Sequence, residues 1–221
     1  MSEPKIYKTS VYNGNAVYNG DSVYNCNGVY NDGYCEFVEI GGKKYPVVII
    51  GTKKWIAKNL DYNFGIDFNK SNVPVTPCCW YYEYADSFKF GMLYNWYAVN
   101  YLEQNKNNLL PDGWRVANKT DWEELYTIAG GDSVAGYQLK SKTEWDEGGN
   151  GLGKYGIDIK PGGFRSNSGV FGYTGRNGSF WSCTQYNSND AYWFSCGMSN
   201  SLNHGTGDKR DGDSVRLVLD I

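Results

Sequence analysis

The sequence predicts an α+β domain of many short strands and two main helices, preceded by a small module of β-repeats. Aromatic residues make up 17% of the 221 residues, and the chain holds 28 glycines. Its apolar runs are short and are separated by glycine-rich turns, a pattern that favours irregular β-rich folds over helical bundles. A chain of this length has room for one large domain and a small module.

Charge and hydropathy exclude several classes of protein. The net charge of -3 leaves no electrostatic footprint for nucleic acid, and no apolar run reaches the length of a membrane span. The first residues, Met1–Lys8, lack the apolar core of a secretory signal. We therefore expect the protein to be made in the cytoplasm, with neither nucleic acid nor membrane as a partner.

The cysteines argue against a structural zinc site, because the chain has one histidine and no Cys-x-x-Cys pair. Cys78 and Cys79 are adjacent, which is poor geometry for a bridge between them. We expect six free thiols in a reducing compartment, with a disulfide between Cys183 and Cys196 as the alternative. No metal site and no cofactor is predicted.

Residues 11–34 carry a six-residue repeat in which Val-Tyr-Asn recurs at Val11, Val17, Val23 and Val29. An even period keeps each Val on one face of an extended chain and each Tyr on the other. The Asn-Gly and Asp-Gly steps are turn signals, so the repeat predicts short strands and tight turns. Four units are too few for a core, and we expect residues 1–35 to form an attachment or oligomerisation module. A disordered tail is the alternative.

The main domain, residues 36–221, opens with a predicted β-hairpin. Phe37–Ile40 and Lys44–Ile50 are rich in β-branched and aromatic residues and are joined by a Gly-Gly turn. Trp55–Leu60 is a third extended piece, and Leu110–Val116 turns into a short strand.

Helical signals follow at three places. Gly91–Asn100 has apolar residues at helical spacing. Thr120 and Glu123 have the form of a capping box, which predicts a helix from Thr120 to the glycines at 130–131. A shorter helix is expected from Val134 to Leu139. Short strands with glycine at their bends are expected at residues 155–159, 161–165 and 169–173.

The stretch Gly178–Val218 is expected to organise the rest of the domain. Its ends are aromatic or β-branched and predict core strands, whereas Ser195–Asp213 is small and polar. Such a segment buries too little apolar area to order itself. We predict a long polar loop laid over a rigid scaffold, a common way to build a binding surface. An exposed loop without function is the alternative.

The main domain contains several motifs, each weak alone: Ile50-Gly-Thr-Lys-Lys-Trp-Ile-Ala-Lys-Asn-Leu60, Gly91-Met-Leu-Tyr-Asn-Trp96, Leu110-Pro-Asp-Gly-Trp-Arg115, Thr120-Asp-Trp-Glu-Glu-Leu125, Pro161-Gly-Gly-Phe-Arg165, Phe180-Trp-Ser-Cys-Thr184 and Ser214-Val-Arg216. They occur in the order seen in the Fibrobacter succinogenes major paralogous domain, which residues 36–221 resemble. The resemblance implies a C-type-lectin-like fold related to that of the formylglycine-generating enzymes.

Members of this family and its relatives serve as variable proteins of diversity-generating retroelements in phages and bacteria. The resemblance implies that a C-terminal segment, mutated at adenine positions, is displayed on the lectin-like scaffold. We expect a receptor-binding or ligand-display protein of a phage tail, located in the virion. Its partners would be a host cell-surface protein or glycan and, through residues 1–35, other tail proteins, with a homotrimer by analogy with tail-tip proteins. A bacterial cell-surface or secreted binding protein is the alternative.

The predicted binding face runs from Trp193 to Asp213 and has the mixture of aromatic and small polar residues found in antibody paratopes. By strand alternation one of Tyr192 and Trp193 faces outward, and we expect Trp193 to do so. Asp213 stands where the family usually has Phe, which suggests an exposed position. Met198 and Lys209 are not reached from an Asn codon by adenine mutation. The predicted ligand-binding residues are Tyr192, Trp193, Ser195, Gly197, Ser199, Asn200, Asn203, His204, Thr206, Asp208, Asp211 and Asp213.

No catalytic set is predicted. His204 lies in the polar segment without a fixed carboxylate or nucleophile partner. Cys183 and Cys196 are the only candidates for the cysteine pair of a formylglycine-generating oxidase, which is the enzymatic alternative. The Glu-Pro-Asn and Trp-Asn-Asp motifs of calcium-dependent lectins are absent from the sequence, so we expect a non-covalent binding protein and not an enzyme.

Overall fold

The computed structural model describes residues 36–66, 75–81 and 87–221. The Val-Tyr-Asn repeats and the predicted module of residues 1–35 lie outside the described residues. The described ranges form an α+β structure, as predicted, in which short and mostly antiparallel strands are combined with four short helices.

Two of the helices, α1 and α3, are clearly longer than the others. The helices are α1 (Trp96–Gln104), α2 (Lys106–Leu109), α3 (Lys119–Ile128) and α4 (Ala135–Leu139), with a 3₁₀ helix at Ser87–Phe90. The strands are β1 (Glu36–Ile40), β2 (Lys43–Ile50), β3 (Lys53–Ile56), β4 (Cys79–Trp80), β5 (Leu93–Asn95), β6 (Arg115–Val116), β7 (Phe164–Arg165), β8 (Phe171–Gly172), β9 (Gly178–Gln185), β10 (Asp190–Cys196), β11 (Leu202–Asp208), β12 (Gly212–Asp213) and β13 (Leu217–Asp220).

The strands form three sheets. Two are five-stranded, with the orders β1-β2-β3-β13-β6 and β4-β5-β12-β7-β8, and the third has the order β11-β10-β9. The last strand, β13, lies between β3 and β6, so the two ends of the described domain meet in one sheet. A parallel bridge between Phe180 and Ser214 joins β9 to the chain just before β13.

The centre of the molecule is the pair β9 and β10, which separates two apolar clusters. Alternation along the strands places Phe180 and Phe194 on one face, where their rings lie 5.1 and 5.5 Å from that of Trp122 in α3. Trp181 and Trp193 lie in the other cluster, on the opposite face. Both faces of this pair are therefore covered, which confirms the prediction of core strands for this stretch.

The predicted hairpin is confirmed. β1 and β2 pair antiparallel across Gly41 and Gly42, whose φ angles of 57° and 78° lie in the left-handed region that glycine adopts without strain. The third extended piece is shorter than expected, since β3 covers Lys53–Ile56 and is followed by a bend.

The predicted helix from Gly91 begins five residues late. Leu93–Asn95 form β5, which pairs with both β4 and β12, so these residues are not available to the helix. Asn95 ends the strand and caps α1, because its Oδ1 accepts a hydrogen bond from the N–H of Ala98 at 2.9 Å.

The capping box of α3 is real but lies two residues before its predicted position. Asn118 is the N-cap: its Oδ1 accepts from the N–H of Asp121 at 3.0 Å, and its own N–H donates to Asp121 at 2.7 Å. Glu123 pairs with Lys119 instead. Asp121 also accepts a hydrogen bond from Nη2 of Arg115 at 3.0 Å. The shorter helix is confirmed as α4.

The strand predicted at residues 155–159 is wrong. This segment makes one isolated bridge, from Ile159 to Lys140. Its carbonyl oxygens are used by the buried guanidinium of Arg216, which donates to Ile157 at 2.7 Å and to Asp158 at 3.2 Å. The side chain of Arg216 thus satisfies carbonyl groups that a neighbouring strand would otherwise bond. The two later strands are confirmed as β7 and β8.

Candidate functional site

The predicted polar loop is largely a strand. Residues 202–208 form β11 and pair with β10 over seven residues, from Leu202 opposite Cys196 to Asp208 opposite Asp190. The expectation that this segment could not order itself was wrong, because β10 provides a complete ladder of backbone partners. β11 lies at the edge of its sheet, and its residues Asn203, His204 and Thr206 are exposed, whereas Leu202 is buried.

Five predicted ligand-binding residues are exposed, and together we call them the display face. Asn203 and the pair His204 and Thr206 project from opposite faces of β11. The other two belong to the turn between β10 and β11. The display face consists of Ser199, Asn200, Asn203, His204 and Thr206.

Aromatic rings border the display face on the side of α3. His204 lies with its ring centroid 5.8 Å from Phe194 and 6.5 Å from Tyr126. Tyr192, opposite Thr206, is half-buried and meets Tyr186 edge-on at 5.4 Å. Flat, rigid rings next to small polar side chains give contact area at low entropic cost.

Trp193 does not face outward as predicted. It is half-buried against the core, and its indole lies over the glycines of β11. A Cβ atom at Gly205 would lie 2.8 Å from Cζ2 of Trp193, and one at Gly207 would lie 3.0 Å from its Cδ1. These two positions must therefore stay glycine for the indole to lie flat, and Trp193 supports β11 from behind.

A buried lysine holds the beginning of the polar segment. Lys140 is 1% exposed, and its Nζ donates to the carbonyl oxygens of Gly197 at 3.0 Å and Ser199 at 2.9 Å. Burial lowers the pKa of Lys140. The N–H of Tyr137 donates to the carbonyl of Asn200 at 3.0 Å. The turn is thus fixed through its main chain, and these contacts do not depend on its side chains.

A second buried lysine holds the end of the segment. Lys209 is 3% exposed; its Nζ donates to the carbonyl oxygens of Asn187 at 2.7 Å and Ser188 at 3.0 Å and lies 4.5 Å from the ring centre of Trp96. Burial lowers the pKa of Lys209, although Asp190 opposes the shift. Lys209 therefore belongs to the scaffold.

The carboxylates that follow β11 are tied to structure. Asp208 binds Arg210 and accepts from Nδ2 of Asn167 at 3.0 Å, and Arg210 holds the pKa of Asp208 well below its usual range. Asp211 is half-buried and accepts from the N–H of Asn167 at 2.5 Å. Burial raises the pKa of Asp211 to about 6. Both residues border the display face but have fixed partners.

Asp213 and Ser195 were predicted to be ligand-binding residues, and both are buried. Asp213 is 4% exposed because β12 is paired on both sides, by β5 and by β7. Its carboxyl group hydrogen-bonds to Ser179, and desolvation raises its pKa to about 7. The expectation that the carboxylate marks an exposed position was wrong. Gly197 is half-buried within the turn held by Lys140.

A family model for the Fibrobacter succinogenes major domain matches residues 48–218, well over half of the chain. The chain belongs to this family. No curated protein and no solved structure matches the chain. The match to the major domain includes β9, β10, β11 and both buried lysines, so the hairpin that carries the display face is an integral part of the domain.

The geometry of this major domain gives its cysteines little reactivity. Cys196 lies opposite Gly178, five residues along β9 from Cys183, which separates the two by about 16 Å and excludes a disulfide. Both are free thiols, and burial raises the pKa of each to about 12. They are therefore protonated at neutral pH and poor nucleophiles.

The described ranges of the domain contain no group of three or more His, Cys, Asp or Glu side chains placed to hold a metal ion. His204 has aromatic neighbours, and no described side chain hydrogen-bonds to its ring. None of the described helices is both long and apolar enough to cross a membrane.

Sequence reasoning missed the lysines that hold the hairpin and the aromatic border of the display face. Lys140 and Lys209 carry no local signal, since a lysine among polar residues is ordinarily exposed. Tyr126 and Tyr186 come from α3 and from the turn after β9, and only the folded chain brings them beside β11. Burial of a lysine without a carboxylate partner is a tertiary property.

Proposed function

We propose that this protein binds a ligand or receptor non-covalently through the display face. The observation that carries the proposal is the separation of roles within one hairpin. Its main chain is held by the buried Lys140 and Lys209 and by the indole of Trp193, whereas the display-face side chains are exposed. A surface built this way accepts many side chains without loss of the fold.

The scaffold that we propose is C-type-lectin-like. Support comes from the ordered motifs of the major domain, the α+β arrangement of short strands, and the meeting of the first and last strands in one sheet. In such an arrangement β10 contributes to the core through Phe194, while the exposed side chains of β11 are free to serve recognition.

We further propose that the display face is diversified by a retroelement and that the protein is a host-binding component of a phage tail. The exposed positions are Ser, Asn, His and Thr, which an adenine-mutated Asn codon can reach. The positions that do not fit this pattern are the partly buried Met198 and the buried Lys209. Diversity would then be confined to residues that the core does not use. Residues 1–35 would attach the domain to the virion.

Binding tests the first part of the proposal. The full-length protein, labelled with a fluorophore, is mixed with a panel of gut bacterial strains, and cell-bound fluorescence is measured. We expect the triple variant Asn203→Ala, His204→Ala, Thr206→Ala to lose at least tenfold in affinity for any strain that binds the native protein, while Val170→Ala, exposed elsewhere, binds normally. Unchanged binding by the folded triple variant would reject the display face as the site.

Sequencing of the gene's 3′ end across a population tests diversification. We expect substitutions confined to codons of the display face and its border, at adenines of a near-identical copy located beside a reverse-transcriptase gene. An invariant 3′ end without such a copy would remove the retroelement part and leave an ordinary binding domain.

A further inference from the structure

Three exposed apolar side chains lie around α4, beside the turn that carries Ser199 and Asn200. Val134, Tyr137 and Leu152 are 37%, 36% and 42% exposed, and we call them the anchor patch. Single exposed apolar residues are common on protein surfaces, whereas a contiguous group of them is a feature of binding sites. The argument for a function therefore depends on whether the three lie together and whether they adjoin the display face.

The helix and one backbone hydrogen bond bring the three residues together. Val134 is the N-cap of α4 and precedes Tyr137 by three residues, a spacing that places two side chains on the same side of a helix. The N–H of Leu152 donates to the carbonyl of Tyr137 at 2.8 Å. The inner side of α4 is buried through Ala135 and Leu139. Polar residues are usual on the outer side of a surface helix, whereas here it carries Val134 and Tyr137.

The anchor patch adjoins the display face at Asn200. The N–H of Tyr137 donates to the carbonyl of Asn200 at 3.0 Å. α4 also lies directly against the turn, since a Cβ atom at Gly136 would lie 2.2 Å from the carbonyl oxygen of Ser201. The absence of a side chain at Gly136 allows this close approach, so the helix and the turn are in contact.

Tyr126 makes a second connection, on the side of His204. The ring centroids of Tyr126 and His204 lie 6.5 Å apart. At the other end of the ring, the hydroxyl oxygen of Tyr126 lies 4.0 Å from the position that a Cβ atom would take at Gly131. The carbonyl of Gly131 in turn accepts from the N–H of Val134 at 3.3 Å. Neighbouring residues thus connect the display face with the anchor patch along two routes.

We propose that the anchor patch is the apolar part of the binding surface and that the partner is a protein on the host cell, not a glycan. This inference rests on the proposed function, whose partner it names. The side chains of Val134 and Leu152 have no hydrogen-bond donor or acceptor, so they add affinity mainly by burying apolar area. A glycan presents mainly hydroxyl groups, and burial of a hydroxyl against such side chains is unfavourable. A protein surface can offer an apolar pocket.

The arrangement matches the anatomy of protein–protein interfaces, in which an apolar centre is surrounded by polar residues. Tyrosine is among the residues that most often dominate the binding energy, so Tyr137 is the main anchor. The three anchors lie before β9 in the chain and outside the polar segment Ser195–Asp213. Changes in the display face therefore leave them in place. Every variant of the display face would keep the same apolar contact, while its polar side chains select among related host proteins.

Binding of the labelled full-length protein to a strain that the native protein binds tests the anchor patch. The double variant Tyr137→Ser, Leu152→Asn removes apolar side-chain area but keeps the backbone hydrogen bonds, and we expect its affinity to fall by about tenfold or more. The double variant Tyr137→Phe, Leu152→Met keeps the apolar area and should bind within about threefold of the native protein.

A matched pair of single substitutions shows whether location decides the effect. Val134→Thr and Val170→Thr make the same exchange of a methyl for a hydroxyl group, and both residues are exposed. We expect Val134→Thr to weaken binding by about two- to fivefold, because the hydroxyl is buried in the interface. Val170→Thr should bind as the native protein does. Equal binding by the two variants would overturn the role of Val134.

The inference and the proposed function fail in different ways. If the triple variant of the display face loses binding and Tyr137→Ser, Leu152→Asn does not, the anchor patch is overturned and the proposed function stands. Unchanged binding by the folded triple variant would overturn the proposed function and, with it, the anchor patch as a part of that surface. A native protein that binds no strain would also overturn both.

Treatment of the cells tests the class of partner with the native protein alone, so the result does not depend on the folding of any variant. We expect proteinase K treatment of the cells to lower binding by about tenfold or more. Periodate, which cleaves the vicinal diols of glycans, should leave binding within about twofold of that to untreated cells. Binding that survives the proteinase, or that is lost after periodate, would overturn a protein partner.

Discussion

β10 and β11 are paired residue by residue, yet they lie in opposite environments. Phe194 is buried and its ring stacks on Trp122, whereas its direct partner His204 is exposed. Both residues belong to the same antiparallel ladder. The difference is that β10 lies between β9 and β11 and is covered on both faces, by Trp122 on the side of Phe194. β11 forms the edge of the sheet.

The comparison shows that strand pairing alone does not decide which side chains stabilise the protein; the packing against each face of the strand does. A residue of β10 contributes through the apolar area that it buries. An exposed residue of β11, such as His204, contributes mainly through its backbone, so its side chain is available for binding. Four measurements test this division, in order of decreasing expected effect.

The largest effect is expected at the cross-strand pair itself. Phe194→Ala should lower the free energy of unfolding by about 3–5 kcal/mol, because it removes a buried ring and leaves a cavity beside Trp122. His204→Ala should change it by less than about 0.5 kcal/mol. Denaturant unfolding of the two variants measures both values. Similar losses at the two positions would contradict the division between the strands.

The next effect concerns the lysine that holds the end of the hairpin. Lys209→Ala removes the donor from the carbonyl oxygens of Asn187 and Ser188 and should cost about 1–3 kcal/mol of unfolding free energy. The exposed Lys142 is the matched control, and Lys142→Ala should stay within about 0.5 kcal/mol of the native protein. If both variants were equally stable, Lys209 would not be a structural residue.

A pH-dependent effect is expected from Asp213. Burial raises its folded-state pKa to about 7, above the value near 3.9 of an unfolded chain. The stability contributed by its bound proton is complete below about pH 4 and is lost as pH rises through about 7. Asp213→Asn keeps the shape without the charge. Its unfolding free energy relative to the native protein should therefore rise by about 1–3 kcal/mol from pH 4 to pH 8.

The difference in unfolding free energy between the two proteins at each pH isolates Asp213. Asp211 is present in both proteins, so its contribution cancels. Chemical unfolding at several pH values measures it. A difference that stays constant over this range would show that Asp213 is ionised in the folded protein.

The smallest effect is expected where the indole of Trp193 meets β11. Gly205→Ala places a Cβ atom 2.8 Å from Cζ2 of the indole and should cost about 1 kcal/mol as the ring moves. Gly197→Ala is the control, because the nearest atom to its Cβ would be 3.9 Å away. Near-ultraviolet circular dichroism should change in the first variant only. An unchanged spectrum for Gly205→Ala would mean that Trp193 does not need the glycine.

Local patterns were sufficient for much of the fold. The β1–β2 turn was predictable because Gly41 and Gly42 allow a conformation that few residues adopt without strain. α3 was predictable from a capping signal and the glycines at 130–131, although its cap was placed two residues late because Asn118 and Asp121 form an equivalent box. The prediction of a strand at residues 155–159 was wrong because the carbonyl groups of this segment are satisfied by a side chain that lies about 60 residues away along the chain.

The sequence alone determined the α+β class, the resemblance to the Fibrobacter domain, and the polar character of the segment before β13. These properties depend on the order and type of neighbouring residues, which local patterns record. Only the tertiary structure decided that Lys209 and Asp213 belong to the interior while Asn203 and Thr206 belong to the surface. All four are polar and lie within eleven residues of one another, and what separates them is the set of strands that packs around each.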